Sequence, residues 1–134
     1  MKKPKKQLGY VALIAVLIIG AAVLNISLSS VIVSITNNMN GLSYQNLSQA
    51  TALSHACGEK ALMDLKENEA YAGNETVNLG NGTCEVLVVE NLGDQSRVIK
   101  TIGRVNNTIR KTRIEISSIN PDINIVSWQE VTDF

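Results

Sequence analysis

The pattern of hydrophobic and polar positions divides the chain into two parts. From Tyr10 the sequence reads YVALIAVLIIGAAVL to Leu24, and apolar residues continue through Ile26, Leu28, Val31, Ile32, Val33 and Ile35 among Asn25 and several serines. About 20 apolar residues cross a bilayer as a helix, so Tyr10 to roughly Ile32 suffices. No proline lies between Pro4 and Pro121, and between Tyr10 and Lys66 glycine occurs only at Gly20, Gly41 and Gly58. One nearly continuous helix is therefore predicted over this whole stretch, on the order of 85 Å long and far longer than a bilayer needs. Asn37, Asn38, Asn40 and Gly41 form its weakest point, where their poor helix propensity predicts a bend or break. Beyond that point Leu47, Ala50, Leu53, Ser54, Cys57, Ala61 and Leu65 fall on one stripe at helical spacing. Gln45, Gln49, Glu59, Lys66 and Glu67 lie on the other side, so residues 36–68 read as an amphipathic half following an apolar half at 10–35. The middle of the stripe is rich in small residues and allows a sheet to approach closely.

After Glu69 the grammar changes to short alternating segments separated by Gly and Asn. Glu75 to Leu79 reads as an edge strand, Asn81-Gly82 as a two-residue hairpin turn, and Thr83 to Glu90 as the returning strand. A turn at Leu92 to Gln95 leads to a strand from Arg97 to Val105. Asn106-Asn107 then turns the chain into Thr108 to Ser118, and Ile123 to Val131 adds a further strand after Asn120-Pro121. Val86, Val88, Ile102, Ile114 and Ile116 are the expected core face. The fold class is α+β: a long N-terminal helix, half transmembrane and half amphipathic, packed on a small antiparallel β-meander spanning residues 69–134.

Charge sharpens the division. Lys2, Lys3, Lys5 and Lys6 precede the apolar run, and no Asp, Glu, Lys or Arg follows until Glu59. Four lysines ahead of a spanning segment stay cytoplasmic and place the C-terminal domain outside. The chain has twelve basic and twelve acidic residues. Without those four lysines, eight basic residues face twelve acidic ones, a net of −4, which gives no general reason to expect nucleic acid as a partner. The two cysteines, Cys57 and Cys84, are an even pair in an exported chain, which favours a disulfide over a metal site; two free thiols are the alternative. About 65 residues make a marginal core, and closing the loop between these cysteines stabilises by about 3 to 4 kcal/mol in the chain-entropy picture. An ordinary secretory signal cut near Gly20, Ala21 and Ala22 is the rival reading of the N-terminus. Against it, the apolar character does not stop there and no polar loop follows. No cysteine lies near the apolar segment to receive lipid.

The run KKQLG followed by YVALIAVLII resembles the class III leader of type IV prepilins and type II secretion pseudopilins. The resemblance covers about residues 2–66, and ALSHACGEKALMDLK is similar to the alanine-rich helix end of minor pilins. It implies a leader at 1–9, cut on the cytoplasmic side after Gly9 by a prepilin peptidase that also methylates the new N-terminal Tyr10. Tyr10 stands where the family usually has Phe. Most members carry Glu at the fifth position after the cut, where this chain has Ile14, and members lacking it resemble minor subunits at or near a filament tip. The implied function is a structural subunit, a minor pilin or pseudopilin. It would reside first in the cytoplasmic membrane as a single-pass protein and then in a surface filament, with other pilin subunits, the membrane and the peptidase as partners.

The chemistry of sites adds little. A lone His55 and no acidic cluster leave no nucleophile-and-base set, so the chain does not read as an enzyme and no cofactor or metal is implied. His55 and Cys57 point about 200° apart around a helix and cannot share a metal without a third element. Arg104, Arg110, Lys111 and Arg113 form a basic cluster around the Asn106-Asn107 hairpin. Without stacking aromatics nearby, this cluster reads better as a charged strand edge that resists aggregation than as a nucleic-acid patch. The sequons at Asn74, Asn81 and Asn106 are common by composition in an Asn-rich chain. A lone membrane-anchored binding module, an adhesin or DNA receptor that joins no filament, is the alternative function.

Overall fold

The computed structural model describes residues 6–134, with side chains from Gly9 onward. The first five residues of the expected leader, with Lys2, Lys3 and Lys5, lie outside the described residues. One helix, α1, runs over Lys6–Glu67. It is unbroken through Asn37, Asn38, Asn40 and Gly41, which corrects the expected break. A few tenths to about 1 kcal/mol per poor helix former is too little to interrupt a helix that continues well beyond on both sides. The chain divides into two compact units, Met1–Leu42 and Ser43–Phe134. Each is described separately below.

In the first unit the helix has nothing packed on it: every residue from Gly9 to Leu42 is exposed. Its polar side chains are satisfied locally. Asn25 Nδ2 donates to Ala21 O at 2.8 Å, and the hydroxyls of Ser27, Ser29, Ser30 and Thr36 donate to the carbonyls four residues back at 2.9–3.0 Å. Such back-bonding removes the cost of placing these groups where no water is available.

The second unit is the last part of α1 lying on an antiparallel sheet of six strands: β1 (Glu75–Leu79), β2 (Gly82–Val86), β3 (Glu90–Gly93), β4 (Ser96–Val105), β5 (Thr108–Ser118) and β6 (Asn124–Val131). The order is β1-β2-β4-β5-β6, and β3 pairs with the first part of β4. The predicted stripe forms the contact, with Ala50, Ser54, Cys57, Ala61 and Leu65 all buried. Opposite it lie Cys84, Val86, Ile99, Ile114, Ile116 and Ile119. Three glycines set the spacing. A methyl group on Gly103 would stand 2.0 Å from Ala50 O, one on Gly82 2.4 Å from a Leu53 methyl, and one on Gly58 2.7 Å from Ile114.

The strands differ from expectation in three places. The β1–β2 turn is Gly80-Asn81, one residue earlier than predicted: Leu79 pairs with Gly82, and Gly80 has φ +59°. Gly82 is needed inside β2, where α1 leaves no room for a side chain. The strand expected from Thr83 to Glu90 stops at Val86. The chain then bridges two neighbours, with Leu87 N donating to Lys100 O and Val89 N to Ala72 O, both at 2.9 Å. This irregular step shifts the alternation by one. Val88, an expected core residue, is 61% exposed, and Val89 packs against the core instead. Glu90–Gly93 then forms β3, so the turn predicted at Leu92 shrinks to Asp94-Gln95.

Candidate functional site

The feature with the clearest physical consequence is the first unit itself. From Gly9 to Leu42 it presents large apolar side chains, including Tyr10, Val11, Leu13, Ile14, Val16, Leu17, Ile18 and Ile19, with no protein against them. It is the one helix long and apolar enough to cross a membrane among the described residues. Exposed apolar surface on this scale is unstable in water and requires lipid or another protein. Gly9, Gly20 and Gly41 have open space at their missing side chains, so another backbone can approach closely there. Gly9 and Tyr10, the expected cleavage junction, lie in the first turns of the described helix. Ile14 follows Tyr10 by one turn, and no acidic residue occurs in the helix until Glu59.

Cys57 and Cys84 form a disulfide with their Cα atoms 6.0 Å apart. It joins the buried face of α1 to β2, beside Gly103 across the β2–β4 ladder. Ser54 and the two sheet threonines form a seam next to it that the sequence reading did not identify. The hydroxyls of Ser54 and Thr112 share a buried hydrogen bond at 2.9 Å, and Thr101 Oγ1 donates to Ser54 O at 2.8 Å. Every buried hydroxyl in this seam has a partner, as a low-dielectric interface demands.

The basic cluster divides between the two faces of the sheet. Lys111 pairs with Ile102, Arg113 with Lys100 and Ile109 with Arg104 across the ladder, which places Arg104, Lys111 and Arg113 on the face away from α1. Arg110 pairs with Gly103 and so points to the α1 side. Each of the four meets a carboxylate: Arg104–Glu85 at 3.4 Å, Arg110–Glu130 at 2.9 Å, Arg113–Glu115 at 2.9 Å, and Lys111 with Asp133. The Lys111 contact holds the Asp133 carboxyl below its usual range. The Phe134 ring lies 5.1 Å from Lys111 Nζ and 5.6 Å from Lys100 Nζ, within cation–π reach of both. The charge that made this a candidate nucleic-acid patch is thus largely matched within the domain.

A second polar group sits where α1 ends. Lys60 Nζ contacts Asp64 at 2.5 Å and Glu75 at 2.7 Å, and the Tyr71 hydroxyl donates to the same Glu75 oxygen. Hydrogen bonds from Lys60 and Tyr71 hold Glu75 below its usual carboxylate value. Those to Asp64 and Glu75 raise Lys60, and burial together with the Glu75 charge raises Tyr71. The cluster fastens the first residues after the helix to its last turns. His55 stacks edge-on to Trp128 with ring centroids 5.6 Å apart. Cys57 is consumed by the disulfide, and among the described residues no group of three or more His, Cys, Asp or Glu gathers where a metal ion would sit. No protein-family model, no curated protein and no solved structure matches this chain.

Proposed function

We propose that this chain is a structural subunit of the type IV pilin and type II secretion pseudopilin kind, anchored by the apolar part of α1 and carrying its disulfide-stapled sheet domain on the outer side of the membrane. The observation that carries the reading is the helix from Gly9 to Leu42. It is apolar, lacks any charge, is exposed on all sides, and directly follows a lysine-rich segment ending in Gly9. A helix of this kind is stable in lipid, and afterwards among equivalent helices, whose small residues allow close packing. The peptidase acts between Gly9 and Tyr10, and Tyr10 receives the methyl group. Ile14 in place of the usual Glu leaves nothing to neutralise the amino terminus of a neighbouring subunit, which fits a minor, tip-type position. The four matched basic residues count against the alternative of a lone DNA receptor.

Intact-mass measurement of the chain recovered from membranes tests the reading. A mature protein beginning at Tyr10 with one added methyl is expected. A start near Val23, or an uncut chain beginning at Met1, rules it out.

A further inference from the structure

The uncharged part of α1 is longer than a membrane needs. Tyr10 to Ile35 already covers about 39 Å at 1.5 Å per residue, against a hydrocarbon core of about 30 Å. The residues from Thr36 to Gly58 therefore lie beyond the hydrocarbon, yet none carries a charge on any face. A water-facing helix normally has charged residues opposite its packed stripe, and here they begin only at Glu59. The packed stripe accounts for Ala50, Ser54 and Cys57. It does not account for Met39 and Leu42, three residues apart on one face, with Leu42 60% exposed.

The second unit has an opening of matching character. A groove of about 500 Å³ is lined by Ala52, Leu53 and Ala56 of α1, Leu79 and Gly82 of the β1–β2 hairpin, and Val105 of β4. No ionisable side chain lines it. Leu79 on its rim is 43% exposed. By contrast, the sheet face away from α1 carries Lys100, Arg104, Lys111 and Arg113 with their carboxylate partners. A groove with no charge to offer excludes any occupant that would bury an unpaired ion, and accepts an apolar, uncharged one.

We infer that this groove receives Met39 and Leu42 from a second copy of the same chain. Those side chains are apolar, lie on a helix without charge, and are present in every copy. The two patches differ, so the contact is heterologous: each bound copy keeps one free groove and one free Met39/Leu42 ridge, and the interaction propagates. This inference rests on the reading of the chain as an assembling subunit and names the surfaces by which it assembles outside the membrane.

The test uses two full-length copies with different tags, expressed together in one membrane and purified in mild detergent. One carries Leu42→Cys and the other Leu79→Cys; Cys57 and Cys84 are bonded and do not react. A short thiol cross-linker is expected to give a species bearing both tags, several-fold above a control pairing Leu42→Cys with Val88→Cys, whose site is exposed and does not line the groove. If the tags co-purify but the 42/79 pair cross-links no better than the 42/88 pair, the docking is wrong while self-assembly stands. If the tags do not co-purify, the assembly reading fails and the docking with it. Trapping of the Leu79→Cys copy on a different protein, and not on the Leu42→Cys copy, also overturns it. As a second variant, Met39→Ser with Leu42→Ser is expected to reduce co-purification several-fold.

Discussion

Glycine has different consequences at different points of the α1–sheet contact. At Gly103 an added methyl would meet backbone, Ala50 O at 2.0 Å and Ser54 N at 2.7 Å, so the helix itself has to move. Gly103→Ala is expected to cost about 2 to 3 kcal/mol, in the range of overpacked cores. At Gly58 the nearest atom is the tip of Ile114, which can rotate away. There the roughly 1 kcal/mol gained in helix propensity offsets much of the clash, so Gly58→Ala is expected to change stability little. Trp128, the only tryptophan, packs against this core and reports both outcomes through urea titration of the full chain in detergent. Ser54→Ala, which strands the buried Thr112 hydroxyl, is expected to cost about 1 to 2 kcal/mol by the same measurement.

Glu75 gives the domain a pH dependence whose sign follows from its neighbours. Its folded pKa is lowered, so its contribution is present above the unfolded carboxylate value and is lost as pH falls through the folded one. Lys60 is raised, so its contribution holds below the ordinary lysine value and is lost as pH rises past the folded one. Lys60 and Glu75 side chains are 42% and 33% exposed, and solvent screening limits the pair to below about 1 kcal/mol. Glu75→Gln is therefore expected to lower the Trp128 unfolding midpoint slightly at pH 7 and to have almost no effect near pH 3. An equal effect at both pH values would mean that the charge is irrelevant.

At the scale of elements, the disulfide ties the middle of the packed helix to β2 and closes a loop of 27 residues in sequence separation. Replacing both cysteines by serine is expected to destabilise the domain by about 3 to 4 kcal/mol, read as a lower urea midpoint. Alkylation before and after reductant separately tests the bond: two labels only after reduction. The elements themselves were unequally legible. The stripe of Ala50, Ser54, Cys57, Ala61 and Leu65 could be read directly, because a helix repeats its exposure every 3.6 residues over many turns. The β5 strand and the Asn106-Asn107 turn were also readable, since both flanking strands alternate cleanly. β3 was not. Its four residues are all exposed, so burial leaves no pattern in them, and the irregular step at Leu87 to Val89 shifts the phase without a residue that marks it.

At the scale of the whole molecule, two kinds of surface meet different surroundings. The first unit needs lipid or protein around it, and the sheet domain carries charge on the face turned away from α1. With the lysines held inside, protease added to the outside of intact cells is expected to degrade the domain from Ser43 onward and to spare the lysine-rich end. Protection of the domain with digestion of the N-terminus would reverse the proposed orientation.

The sequence by itself determined the long helix, its uncharged length, the stripe that packs, and the α+β class. These depend on hydrophobic period and on where charge is absent, and both are local properties. Only the tertiary structure decided that Cys57 bonds Cys84, that Ser54 meets Thr101 and Thr112, and that each residue of the basic cluster has a carboxylate partner. Those contacts join residues from 2 to 58 positions apart across strands and across the helix–sheet interface. Strand order and register bring them together, and no local pattern encodes either.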